Sequence, residues 1–172
     1  MIRVLAPLCL TAPLFAAFPT PQEALGHAFP GAQLTRKEHF LTEAQAHRVR
    51  DKAGTELSGL WTVAYEARRD GKLVGVGFFD THRVRTLNET LLVAITSEGK
   101  ILRVEAVAFK EPLEYLPKEA WVKQFEGRRL DAELTSKKGI RPLSGATLSA
   151  QAMIYASRRC LALHGLLYGN DK

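Results

Sequence analysis

Cysteine is nearly absent from this chain. Its two thiols, Cys9 and Cys160, lie in different segments, and the first belongs to an apolar leader, so the mature chain would keep one thiol and form no internal disulfide. No Cys-x-x-Cys-His occurs, which excludes covalent c-type haem, and no Cys/His cluster has zinc spacing. A Gly-rich strand-to-helix turn of the dinucleotide type is also missing, so no nucleotide-reductant site is expected. The net charge is +6, yet aromatic residues are not interleaved with basic ones as in surfaces that stack bases, and nucleic acid is not an expected partner. Internal repeats and low-complexity stretches are lacking, and no apolar run reaches the roughly 20 residues of a spanning helix.

The first apolar run, residues 4–18, follows Arg3 and is interrupted by Pro7 and Pro13. Residues 1–20 therefore read as a secretory signal peptide with cleavage near Ala16 or Ala17, or as an uncleaved signal anchor. Lipidation at Cys9 is disfavoured because Leu8 is bulky. Export puts the mature chain in the periplasm or on the outer face of the cytoplasmic membrane. Losing Arg3 with the leader leaves a charge of +5, which suits an acidic membrane surface or an acidic redox partner.

Residues 21–172 are long enough for one core and are expected to form a single domain. Residues 21–28 and 42–52 have helical spacing, the second opening on Thr42 and Glu43. Asp70-Gly71 between the alternating runs 60–67 and 72–79 predicts an antiparallel hairpin, and a second pair, 90–95 with 101–109, is joined through 97–100. The intervening 80–86 reads as a charged loop, either simply exposed or meeting a phosphate. Pro112 and Pro117 make 111–117 a shaped loop. A short helix over 118–125 and a long final helix over 148–167 complete the chain. In the latter, Leu148, Ala152, Tyr155, Ala156, Cys160, Leu163 and Leu167 form the expected core stripe, with Arg158 and Arg159 facing out. The fold class is α+β: a mostly antiparallel sheet packed against helices, with a long C-terminal helix after a Ser-Gly-Ala-Thr turn.

That turn, Ser144-Gly145-Ala146-Thr147, concentrates the chemistry. Small side chains allow close approach, and a helix start offers unpaired N–H groups and partial positive charge to a phosphate, beside the Thr147 hydroxyl. The plain alternative is a helix entry capped by serine. Cys160 reads as a buried small hydrophobe. The histidines, His27, His39, His47, His82 and His164, read as surface or satisfied core residues. Of the two tryptophans, Trp61 is assigned to the core and Trp121 is the better candidate for stacking on a ligand.

The order of these segments resembles the FMN-binding domain family, which includes covalent flavoprotein subunits of the sodium-pumping NADH:quinone reductase and Rnf complexes. The resemblance rests on Gly-Lys-Leu-Val-Gly at 71–75, Glu-Gly-Lys-Ile at 98–101, Glu111-Pro112-Leu113, Trp121 with Phe125-Glu126-Gly127, and the Ser144–Thr147 motif. It implies FMN joined through its phosphate to Thr147 by a flavin transferase that uses FAD and a divalent metal. Ser144, Gly145 and Ala146 would support that phosphate, and Glu111, Pro112 and Leu113 would face the cofactor. No catalytic residues and no resident metal are implied, because the flavin carries the redox chemistry. The implied role is electron transfer between a membrane redox complex and another carrier, rather than stand-alone turnover. Two departures stand out: Arg141 occupies a position that is usually acidic, and 111–116 lacks the usual Gly-rich loop. Arg141 favours a second reading, a noncovalent FMN or small-anion binding module. A cofactor-free structural subunit is the third.

Overall fold

The computed structural model describes residues 18–136 and 138–169. Only the last three residues of the expected leader fall within that range; the rest of the leader, with Cys9, lies outside it. The chain begins with helix α1 (Pro21–Ala28), started by a capping box in which the Thr20 hydroxyl accepts from the Glu23 N–H and the Glu23 carboxylate accepts from the Thr20 N–H. Strand β1 (Gln33–Phe40) follows, then helix α2 (Glu43–Ala53), which has a second capping box from Thr42 and Gln45 and ends on Gly54 at φ 67°.

Four strands come next: β2 (Trp61–Arg69), β3 (Lys72–Arg83), β4 (Asn88–Thr96) and β5 (Ile101–Phe109). Asp70 and Gly71 both have positive φ, 52° and 76°, as a two-residue turn between right-twisted strands requires. All pairs are antiparallel, in the order β1-β2-β3-β4-β5. A meander of this kind needs only short connections, which the turn residues supply.

Helices cover both faces. Leu91, Val93 and Ile95 of β4 point into the larger core, shared with α2 and with the long helix α4 (Thr147–Tyr168), while Leu92 and Ala94 point to the smaller core under α1. Because both faces of β4 are buried, its sequence is a continuous apolar run instead of an alternation. Gly75 and Gly77 let α1 sit close: a Cβ at Gly75 would come within 2.5 Å of Phe29 Cε1 and 2.6 Å of the Ile95 carbonyl.

Several expectations need correction. Strand β1 lies outside the expected elements, because QLTRKEHF has only two apolar residues and lies at the sheet edge, where one side of each strand faces water. The segment 80–83 belongs to β3, and only 84–87 forms the turn. The helix over 118–125 is α3 (Glu119–Val122) followed by a 3-10 turn. Trp121 is buried against Phe125, whereas Trp61 is 54% exposed. The stripe of α4 is rotated from the expected one: Leu148 and Tyr155 are exposed, and Arg159 is buried. Arg158 lies along the surface of the core and donates to the carbonyls of Ala53, Asp131 and Leu134.

Candidate functional site

The N-terminus of α4 is uncapped. Ala146 occupies the capping position and offers no side-chain oxygen, and the first helical bond runs from the Ala150 N–H to the Ala146 carbonyl. The N–H groups of Thr147, Leu148 and Ser149 therefore have no intrahelical partner, and they carry the positive end of a 22-residue helix. Gly145 makes the turn with φ 82°, and nothing lies within 4 Å of where a Cβ would stand. Thr147 is exposed, its hydroxyl donating to the Leu143 carbonyl at 3.3 Å.

Two residues from distant segments complete a concavity of about 200 Å³ with Gly145, Ala146, Thr147, Leu148 and Ser149. They are Arg85, from the β3–β4 turn, and Tyr115, from the shaped loop, with the guanidinium 5.4 Å from the ring centroid. Glu111 holds the turn that carries Arg85. Its Oε1 accepts from the main-chain N–H groups of Arg85, Thr86 and Leu87 at 3.1, 2.7 and 2.9 Å, and from the Thr86 hydroxyl. Those bonds, led by the one from Leu87, hold the Glu111 carboxyl below its ordinary range. The carboxylate of Glu111 is thus committed to the turn, and Ser144, Pro112 and Leu113 are exposed outside the concavity's lining.

Arg141 is elsewhere occupied. Its N–H and Nε both donate to Gln124 Oε1, and its carbonyl accepts from the Trp121 indole at 2.8 Å. Trp121 therefore fixes the approach of the chain to the Ser144–Thr147 turn from within the core. The cation that borders the turn is Arg85. It lay within the segment that the sequence marked for its density of donors and cations, whereas Tyr115 gave no sequence signal.

A second polar cluster lies farther along α4. Arg159 Nε and Nη2 donate to the two oxygens of Asp80 at 2.8 and 2.6 Å, His82 Nδ1 bonds Asp80 at 2.8 Å, and His82 Nε2 bonds Glu89 at 3.2 Å. Burial works against ionisation of Asp80, yet the bonds from Arg159 and His82 outweigh it and hold its pKa at about 2. Burial likewise opposes the imidazolium, but Asp80 and Glu89 lift His82 to about 9. Glu89 is fully buried with Oε1 unpartnered, and that burial raises its pKa despite His82. His164 departs from the satisfied-core reading, being buried with Nε2 lacking a partner. Cys160, next to Arg159, is buried, and burial pushes its thiol well above its ordinary value.

The two clusters share one geometry. From Arg159 to Thr147 is twelve residues of helix, about 18 Å, and from Asp80 the chain runs to the end of β3 at Arg83 and on to Arg85 in the turn. Helix α4 and strand β3 therefore run in opposite directions and meet twice. Among the described residues, no helix is long and apolar enough to cross a membrane. No protein-family model matches the chain, and no curated protein matches it.

Proposed function

We propose that this chain is an exported FMN-binding flavoprotein that carries electrons between a membrane redox complex and another carrier, with FMN joined through its phosphate to Thr147. The observation that carries this reading is the exposed Thr147 hydroxyl beside three N–H groups that lack intrahelical partners and the Arg85 cation. A phosphate monoanion or dianion is the ligand such an arrangement favours. The open space at Gly145 lets the phosphate approach the main chain, and a side chain there would have to adopt a φ of 82°. At about 200 Å³ the concavity is smaller than sites that enclose whole cofactors, which suits the phosphate and the chain next to it.

When bound, FMN supplies the one- or two-electron chemistry. The residues of this chain hold and orient it: Thr147 anchors, the helix N-terminus and Arg85 balance phosphate charge, and Glu111 keeps Arg85 in place. The basic surface suits an acidic redox partner or membrane face, and the resemblance to the FMN-binding domain family supplies the flavin transferase as maturation partner.

The intact mass of protein co-produced with a flavin transferase tests the reading. An increment of FMN less one water, lost in Thr147→Ala, is expected. A competent transferase that leaves the mass unchanged would overturn the covalent link. The second reading, noncovalent FMN or another small phosphate-bearing anion, is favoured by Arg85, because a cation beside free N–H donors holds a phosphate without a bond. Flavin released on denaturation distinguishes it.

A further inference from the structure

The sheet opens between its second and third strands. Strands β2 and β3 pair from Arg69↔Lys72 to Ala64↔Phe78 and no farther. Beyond that point β2 continues to pair with β1 as far as Phe40↔Trp61, and β3 with β4 as far as Arg83↔Asn88. Residues 61–63 and 79–81 thus face each other as two strand edges with no ladder between them. Main-chain N–H and C=O groups on such edges call for another partner.

The gap is a cavity of about 470 Å³, within the range of small-molecule sites. Its two sides differ. On the α1 side lie the rings of Trp61, Tyr65 and Phe79, the last two in edge contact with centroids 5.4 Å apart. On the α4 side lie Asp80, Arg159 and Leu163. Arg159 is buried, and its bonds to Asp80 and to the Thr55 hydroxyl engage three of its five N–H donors.

These features select a ligand. Asp80 is paired with Arg159 and His82, and Arg36, which also lines the cavity, is paired with Glu38, so neither a cation nor an anion finds an unpaired charge there. An aliphatic molecule leaves the strand edges unpartnered. An extended peptide needs a longer edge than three residues of β2. A flat ring lying in the plane of the sheet satisfies all three sides at once: its rim can pair with both strand edges, one face meets aromatic rings, and the other meets a planar guanidinium.

We propose that the cleft between β2 and β3 is a second binding site, separate from Thr147, for an uncharged fused heteroaromatic ring bearing N–H and C=O groups along its rim. It lies about 18 Å along α4 from Thr147, and its occupancy does not depend on a flavin there.

The test uses the full chain as Thr147→Ala, which removes the covalent route, and lumichrome, a tricyclic lactam with no phosphate or side chain. Fluorescence titration is expected to show saturable binding with one site per chain. Ser58→Trp, at an exposed loop position on the cavity mouth, is expected to weaken binding at least tenfold, by occupying it. Trp61→Ala, also at an exposed position, is expected to weaken it about tenfold, as loss of one aromatic stack does. Absent or unsaturable binding overturns the proposal, as does a dissociation constant that neither variant changes. Binding weakened by Arg85→Ala but by neither cleft variant would move the ring to the Thr147 concavity and overturn it as well.

Discussion

Helix α4 meets β3 and its following turn at two charged places that handle charge in opposite ways. In the middle of the helix, buried Arg159 and the largely covered Asp80 and His82 are joined through Asp80, and one oxygen of Glu89 is the exception. At its start, Arg85 is exposed, the N–H groups of Thr147, Leu148 and Ser149 have no intrahelical partner, and the Glu111 carboxylate is spent on main-chain donors. The first arrangement completes its own charge and so holds the fold. The second lacks an anion, which is why the ligand reading belongs there. A cluster of charged residues is informative about binding to the extent that its donors or acceptors remain unmatched.

Breaking the closed place gives the largest expected effect. Asp80→Ala leaves the Arg159 guanidinium buried without its carboxylate and should lower unfolding stability by about 3–5 kcal/mol. Thr147→Ala, at the open place, should change it by less than about 0.5 kcal/mol. Replacing both partners, Asp80→Leu with Arg159→Met, should recover most of the loss, since the uncompensated charge goes too. Denaturant midpoints of the four proteins check the set; equal losses in Asp80→Ala and Thr147→Ala would abolish the contrast.

The next effect is pH dependence. His82 is lifted from 6.5 to about 9 in the folded chain, so the folded state holds its proton to higher pH than the unfolded state. The stability it contributes is complete below pH 6.5 and is lost as pH rises through 9, to the extent of about 3 kcal/mol. Thermal unfolding followed between pH 6 and 10 should show that fall, and His82→Gln should flatten it. A wild-type profile that rises over this interval would contradict the assignment.

The smallest change sharpens the comparison at the open end. Glu111→Gln weakens the acceptor that gathers the Arg85, Thr86 and Leu87 N–H groups. Hydrogen exchange at those three amides should accelerate, while amides of the buried stretch around Arg159 keep their protection. Uniform acceleration across α4 would instead make Glu111 a global support.

Much of the fold was legible because its signals are local. Thr42 starts a helix through a hydroxyl that reaches three residues on, and Asp70-Gly71 turns a hairpin because those positions need positive φ. Strand β1 escaped because an edge strand exposed to water has no strong alternation to read. The phase of α4 escaped for a related reason: Arg159 looks like a surface residue until Asp80, 79 positions away, is found beneath it. Trp61 and Trp121 exchanged roles because exposure depends on which strand ends are covered.

The sequence by itself determined the hairpin turn at Asp70-Gly71, the helix start at Thr42, the α+β class and the small-residue turn that opens α4, since each depends on a few neighbouring residues and their backbone preferences. Tertiary structure alone decided that Arg85 and Tyr115 join Thr147, that Glu111 holds the β3–β4 turn, and that β2 parts from β3. These rest on contacts between distant segments, whose geometry is set by how the sheet and α4 pack over a shared core.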